Sequence, residues 1–266
     1  MARVPRSRKD RIRLLAKALN ELSDSQLAWT EGIINQFKLK PDLQRNPESD
    51  LIIPCGLEMF GDALQIHHCL STEALSKDRF EYAFDRVLNL CGIPAMLAAK
   101  GNPGHDITIN GVPFSLKTQA DRNLRRNYLH ISKFMELGKG AWATERDLIG
   151  LRDQFFRHMR SYDRVLQLRR LTNTETLQEY ELVEIPKELL LQAKRGVLAM
   201  MHDSTQTPKP GTCSVVDGSG RLLFELYFDG GAERKLQIRR LDKRNCLVHG
   251  VWGIRRIALT TKPTLE

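Results

Sequence analysis

Asp106 and Lys117 stand on either side of an Asn110-Gly111 dipeptide, with Ser115 two residues ahead of the lysine. A carboxylate and an ammonium brought to one surface suit phosphodiester hydrolysis. That reaction must create a nucleophile at neutral pH and stabilise charge on the scissile phosphate and the departing oxygen. Asp106 would hold Mg2+ with the Leu116 carbonyl as a second ligand, and the ion would acidify its water and clamp phosphate oxygens. Lys117 would hold the attacking water or help to deprotonate it. One carboxylate is thin ligation for a divalent ion, and Ser115 cannot supply a second. Glu81, at the border of an apolar helical stripe upstream, can reach inward across a sheet edge; Glu136, just past the strand that follows, is the reserve. The same Asp and Lys pairing also occurs on ordinary solvated hairpins.

Turn chemistry positions the pair. Asn and Gly both tolerate the positive φ of a type I′ turn, which sets Ile109 opposite Val112, Thr108 opposite Pro113, Ile107 opposite Phe114 and Asp106 opposite Ser115. Opposed residues, and residues two apart on a strand, share a face. Asp106, Ser115 and Lys117 therefore project together, and Ile107, Phe114 and Leu116 form the other face.

Apolar spacing predicts helices over residues 10–22, after Ser23 or Asp24, over 57–70, and from a Ser76 cap to 91. Residues 40–50 read as a loop, which makes 1–50 a basic arm and helical segment and 51–266 the main body. After the hairpin come a basic loop with Arg122, Arg125 and Arg126, a strand over 128–133, and a Thr144-capped helix to 162. Strands over 164–171 and 177–185 and a helix over 187–198 follow. Strands over 212–216, 222–228, 235–241 and 246–252 fill a β-rich part at about 205–255. The class is α/β, a mixed sheet flanked by helices.

Composition, 41% hydrophobic and 27% charged, is that of a globular chain. No run approaches the roughly 18 apolar residues of a membrane span, and the N-terminus lacks a secretory apolar stretch, so a cytoplasmic protein without membrane association is expected. The five cysteines form no CxxC pair, and reduced thiols are expected rather than a disulfide or a zinc site. His67, His68 and Cys69 diverge by about 100° each on a helix and cannot face one ion. Of the formal charge of +9, more than half sits in residues 1–13, where Arg3, Arg6, Arg8, Lys9, Arg11 and Arg13 face only Asp10. Such an arm either meets a polyanion or merely solubilises.

The Asp106 to Lys117 spacing resembles the PD-(D/E)xK nuclease pattern, without the leading proline and with Ser115 where an acid usually stands. A more extensive resemblance is to the SmaI-type restriction endonucleases. It is carried by Asn102-Pro-Gly-His-Asp-Ile-Thr-Ile109, Leu116-Lys-Thr118, His130-Ile-Ser-Lys133, Met135-Glu-Leu-Gly-Lys-Gly140 and Val183-Glu-Ile-Pro-Lys187. Pro208-Lys-Pro-Gly211, Tyr227-Phe-Asp-Gly-Gly-Ala-Glu-Arg-Lys-Leu-Gln-Ile238 and Val248-His-Gly-Val-Trp252 continue it in the same order. Phe80-Glu-Tyr-Ala-Phe84 fits the family's helix and favours Glu81 as the second carboxylate. Gln119 stands where the family has an acid, which removes one further ligand.

The resemblance implies a restriction-endonuclease-like core and a Mg2+-dependent homodimer that cuts both strands of double-stranded DNA at CCCGGG with blunt ends, accompanied by a cognate methyltransferase. A palindrome needs a two-fold symmetric reader, and G·C pairs are best read by Arg or Lys in the major groove. Lys235, Gln237 and Arg239, on the polar face of one strand, with Arg234 beside Gly230-Gly231, are the candidates for base readout. Arg125, Arg126, Lys133 and Lys139 are candidates for phosphate contacts. Other readings are a nicking or repair nuclease of the same fold and a catalytically inactive DNA-binding protein.

Overall fold

In the computed structural model, which describes residues 7–99, 101, 104–121 and 124–257, side-chain caps set the helix starts. Ser7 accepts from the Asp10 N–H at the head of α1 (Arg8–Leu19), and Ser23 closes a capping box with Gln26 on α2 (Asp24–Lys38). Next come β1 (Asp42–Arg45), α3 (Pro54–Leu70) and α4 (Lys77–Leu90), the last capped by Ser76. β2 (Ala95–Leu97), β3 (Ile107–Ile109), β4 (Val112–Gln119) and β5 (Tyr128–Glu136) lead to α5 (Glu145–His158). β6 (Arg164–Asn173), β7 (Leu177–Ile185) and α6 (Lys187–Leu191) follow. β8 (Val197–Met200), β9 (Gly211–Val216), β10 (Leu222–Phe228), β11 (Lys235–Asp242) and β12 (Leu247–Arg255) complete the chain.

Seven strands form a mixed sheet in the order β1-β12-β7-β6-β4-β3-β2, with β4 and β6 its parallel pair. A second, antiparallel sheet runs β5-β11-β10-β9-β8. The first sheet separates two apolar cores. On one face α3 and α4 bury Phe60, Phe80 and Phe84 with Phe114, Leu116 and Trp252. Gly61 permits that approach, since a Cβ there would stand 3.1 Å from Leu43 and 3.4 Å from Trp252. On the other face Val165, Val183 and Ile185 meet α5 and the inner side of the second sheet, including Phe134, Phe155, Phe224 and Ile238. β4 thus sends Phe114 and Leu116 into one core and turns Ser115 and Lys117 toward the other.

Several expectations are corrected. Residues 42–45, read as loop, form β1 on β12, and residues 95–97 form β2 on β3. Both are sheet-edge strands of four residues or fewer, too short to show an alternating pattern. The helix expected over 187–198 ends at Leu191, and a 3-10 turn over Gln192–Arg195 leads into β8, which pairs with β9. The apolar face of α1 is not buried: Ile12 and Leu15 are 52% and 64% exposed. Cys55 and Cys91 form a disulfide, Cα atoms 5.9 Å apart, against the expectation of reduced thiols. Antiparallel packing of α3 on α4 brings the start of one helix to the end of the other. Cys69, Cys213 and Cys246 are free. Arg3, Arg6, Asn102, Pro103, Arg122 and the tail beyond Ile257 lie outside the described residues. Among the described residues, no helix is long and apolar enough to cross a membrane.

His68, 1% exposed, lies between the Tyr180 hydroxyl at 2.9 Å and the Ser71 carbonyl at 3.0 Å. Burial pushes its pKa down to about 4. The imidazole is therefore neutral in the fold, while the unfolded chain takes up a proton below about pH 6.5. Stability must fall as pH drops from about 6.5 toward 4, by about 1 kcal/mol per unit from this residue. Urea midpoints measured between pH 7 and pH 4.5 should show that slope, and His68→Gln, which cannot charge, should flatten it. Identical slopes in the two proteins would contradict the assignment.

Candidate active site

The hairpin register is the one its turn predicts: Ile107 with Phe114, Thr108 with Pro113 and Ile109 with Val112. Asn110 and Gly111 both have positive φ, 50° and 81°, as a type I′ turn demands. Beyond Ile107 the ladder breaks, and the Asp106 N–H donates to the Phe114 carbonyl at 2.8 Å. One Asp106 carboxylate oxygen then accepts from the Leu116 N–H at 2.6 Å and the Ser115 hydroxyl at 3.2 Å. A strand edge that has lost its neighbour leaves an N–H to be satisfied, and this carboxylate does it.

The other Asp106 oxygen accepts from Lys77 Nζ at 2.7 Å, and the same nitrogen lies 2.9 Å from Glu81 Oε1. Lys77 and Glu81 are four residues apart on α4 and so share a face. That helix packs on β2 and β4, and from there Glu81 reaches across the sheet edge to the hairpin. Glu81 Oε1 is buried, and its contact with Lys77 lacks the alignment of a hydrogen bond. Two carboxylates thus converge on one cationic atom, and one of their oxygens keeps an unused acceptor position. This donor set fits a hard divalent cation.

Charge holds the cluster together. Burial works to raise the Asp106 carboxyl, but Lys117, Lys77 and the Leu116 N–H outweigh it and keep its pKa below the ordinary value. Burial likewise disfavours the Lys77 ammonium, yet its hydrogen bond to Asp106 and the nearby Glu81 carboxylate raise its pKa. Lys117, 5.6 Å from the centre of the Phe134 ring, is pulled down to about 8 by burial, with Asp106 opposing. Burial and Lys117 push His158 down to about 4, so it is a neutral imidazole at pH 7. A cleft of about 780 Å³ opens here, lined by Lys77, Asp106, Lys117, Lys133, Glu136 and His158 among others.

β5 runs past this cleft and two more. Glu136, Lys139 and Arg234 line the second, with Gly230 and Gly231. A Cβ on Gly230 would stand 1.8 Å from the Pro208 carbonyl oxygen, so this close crossing requires glycine. Gln119, Arg125, His130 and Arg239 line the third. The predicted readers are already wired together. Gln237 donates to Asp229 at 2.9 Å and accepts from Arg239 Nε at 2.9 Å, while the Arg239 guanidinium stacks 3.3 Å from the Tyr227 ring centre. Lys235 pairs with Glu233 at 2.8 Å, and Arg234 donates to the Lys139 and Gly140 carbonyls.

Lys133 pairs with Glu136 at 2.9 Å and Glu233 at 3.6 Å. Glu136 thus faces Lys133, and Glu81 is the acid beside Asp106. Arg126 is turned away onto Glu179, at 2.5 and 3.2 Å. Among the described residues, the Arg125 and Lys139 side chains show no ion pair. Buried Gln119 is clamped between Asp121 at 2.9 Å and Arg169 at 3.1 Å.

Three residues escaped sequence reasoning: Lys77, His158 and Arg169. The signal for Lys77 was its (i, i+4) spacing to Glu81 just behind the Ser76 cap. Arg169, wholly buried, pairs with Glu181 and donates to the Arg125 and Tyr128 carbonyls at 2.9 Å and the Arg126 carbonyl at 3.3 Å. It pins the basic loop between the two sheets. A second acidic group, Asp50, Glu184 and His249, also has ligand atoms within 4.8 Å of one another. There Arg164 already supplies the cation through a fork bonded to Asp50 at 2.7 and 2.9 Å and to Glu184 at 2.8 Å.

A family model described as SmaI, type II site-specific deoxyribonuclease, matches residues 15–254. The chain is also 44% identical over 248 residues to the type II restriction enzyme SmaI of Serratia marcescens, an alignment that covers 92% of this chain and 97% of that enzyme.

Arg169→Met leaves Glu181 buried with Lys243 alone and abandons three loop carbonyls. It should lower unfolding free energy by about 3 kcal/mol in guanidinium titrations; a loss below about 1 kcal/mol would contradict the pinning role.

Proposed function

This chain belongs to the SmaI family of type II site-specific deoxyribonucleases, and from that premise we propose that it cuts both strands of CCCGGG with blunt ends, as a homodimer using Mg2+. A restriction enzyme binds double-stranded DNA and works with a divalent metal. The observation that carries the site is the meeting of Asp106 and Glu81 at Lys77 Nζ, beside a cleft that Asp106, Lys77 and Lys117 line. In this reading Asp106, Glu81 and the Leu116 carbonyl hold Mg2+. When bound, the ion stabilises negative charge on the scissile phosphate.

The chain's own residues do the rest. With a pKa near 8, Lys117 exchanges its Nζ proton close to neutral pH. In its neutral form it can orient the attacking water and take its proton as the new P–O bond forms; the old ester bond breaks and the departing oxygen takes a proton from solvent. Lys133, Lys139 and Arg125 meet phosphates, while Arg239, Lys235, Gln237 and Arg234 address the G·C edges from the second sheet; Arg126 contributes only if it leaves Glu179. A two-fold palindrome calls for two copies. The exposed Ile12, Leu15 and Trp29, at 52%, 64% and 61% exposure, offer apolar surface for that contact. The division proposed from the sequence, 1–50 as basic arm and helical segment and 51–266 as nuclease domain, is kept with one change: β1 of the first part belongs with the main sheet. The enzyme acts in the cytoplasm beside a cognate methyltransferase that protects host DNA.

Plasmid digestion with and without Mg2+ tests this reading. It predicts discrete fragments mapping to CCCGGG; nicked circles would favour a nicking nuclease, and binding without cleavage an inactive DNA-binding protein. Asp106→Ala should slow cutting by at least about 10³-fold, about 4 kcal/mol, with the fold intact. Glu81→Gln should reduce rate and metal dependence together. If Glu81→Gln cuts like the unmodified protein, the second carboxylate lies elsewhere and Glu136 is next to be tested.

A further inference from the structure

Lys77 has no role in the chemistry just described, yet its ammonium occupies the point on which Asp106 and Glu81 converge, 2.7 and 2.9 Å away. It differs from the Arg164 fork in kind. Its side chain is 41% exposed, it approaches each acid with one atom, and its four-carbon stem is free to swing. It also lines the cleft that a phosphate backbone would enter.

We propose that Lys77 is an internal counter-cation. It occupies the metal position in the DNA-free protein and moves onto a DNA phosphate when metal enters, so that metal and DNA bind cooperatively. The proposal rests on the reading of Asp106 and Glu81 as the metal carboxylates. With Lys77 in place the two carboxylates lie side by side around one ammonium without metal. A divalent ion entering the DNA-free protein must displace that ammonium into water. With duplex present the displaced charge finds a phosphate, and the ion enters more easily. Metal binding is thereby tied to the presence of DNA.

Calorimetric titration of Ca2+, used as a hard divalent probe, into the full-length protein with and without a CCCGGG duplex reads this directly. The unmodified protein should bind Ca2+ weakly alone and at least about tenfold more tightly with DNA, about 1.4 kcal/mol of coupling. Lys77→Met should bind Ca2+ about tenfold more tightly without DNA and lose most of the DNA enhancement, whereas Lys77→Arg should behave like the unmodified protein. Melting curves of each variant establish that it is folded. If Lys77→Met matches the unmodified protein in Ca2+ affinity and coupling, the proposal is overturned. If instead Asp106→Asn leaves Ca2+ binding unchanged, the underlying metal site is wrong and the proposal falls with it.

Discussion

Two carboxylates held side by side at a sheet edge repel one another unless positive charge stands between them, and the site of this protein is organised around that requirement. Asp106 reaches the edge because β3 ends at Ile107, which leaves the Leu116 N–H for its side chain to satisfy. Glu81 reaches the same point from α4 because Phe80 and Phe84 anchor the neighbouring face of that helix in the core. Lys77 and Lys117 supply the charge, one from the helix and one from the strand. Lys117 and Lys77 both hold down the Asp106 pKa, and Asp106 in turn opposes the loss of the Lys117 proton, so hairpin, helix and cleft form one electrostatic unit.

The same logic extends along β5. In the free protein Lys133 is held by Glu136 and Glu233, and Lys235 on the neighbouring strand by Glu233. A phosphate backbone offers these cations a stronger counter-ion, and its arrival would trade internal pairs for intermolecular ones. The wiring of Gln237 through Asp229 and Arg239 fixes the polar face of the second sheet in advance, and rigid placement suits direct readout. The buried Arg169–Glu181 pair carries that order across to the first sheet by holding the carbonyls of the connecting loop.

What the sequence made legible was local. Asn110-Gly111 specified the hairpin and its register, the Ser76 cap and the spacing from Phe80 to Leu88 specified α4, and the stripe border singled out Glu81. The collinear segments supplied the family. Features that depend on distant partners stayed hidden. β1 and β2 have too few residues for a periodic signal and exist because a neighbouring strand lends them hydrogen bonds. The split into two sheets, with β5 joining β11, is a pairing choice that alternation does not encode. Cys55 and Cys91 meet only because α3 lies against α4. Arg126 and Arg125 look alike in the sequence, and only the fold puts Glu179 beside one of them.

The central claim is that the hairpin borrows its second carboxylate from α4 to make the metal site. Anomalous scattering from Mn2+ in crystals of the protein with DNA tests it most directly. The account predicts a peak bonded to Asp106 and Glu81, with Lys77 displaced from its present position between them. A peak at Asp50, Glu184 and His249, or one bonded to Asp106 and Glu136 with Glu81 left on Lys77, would contradict it.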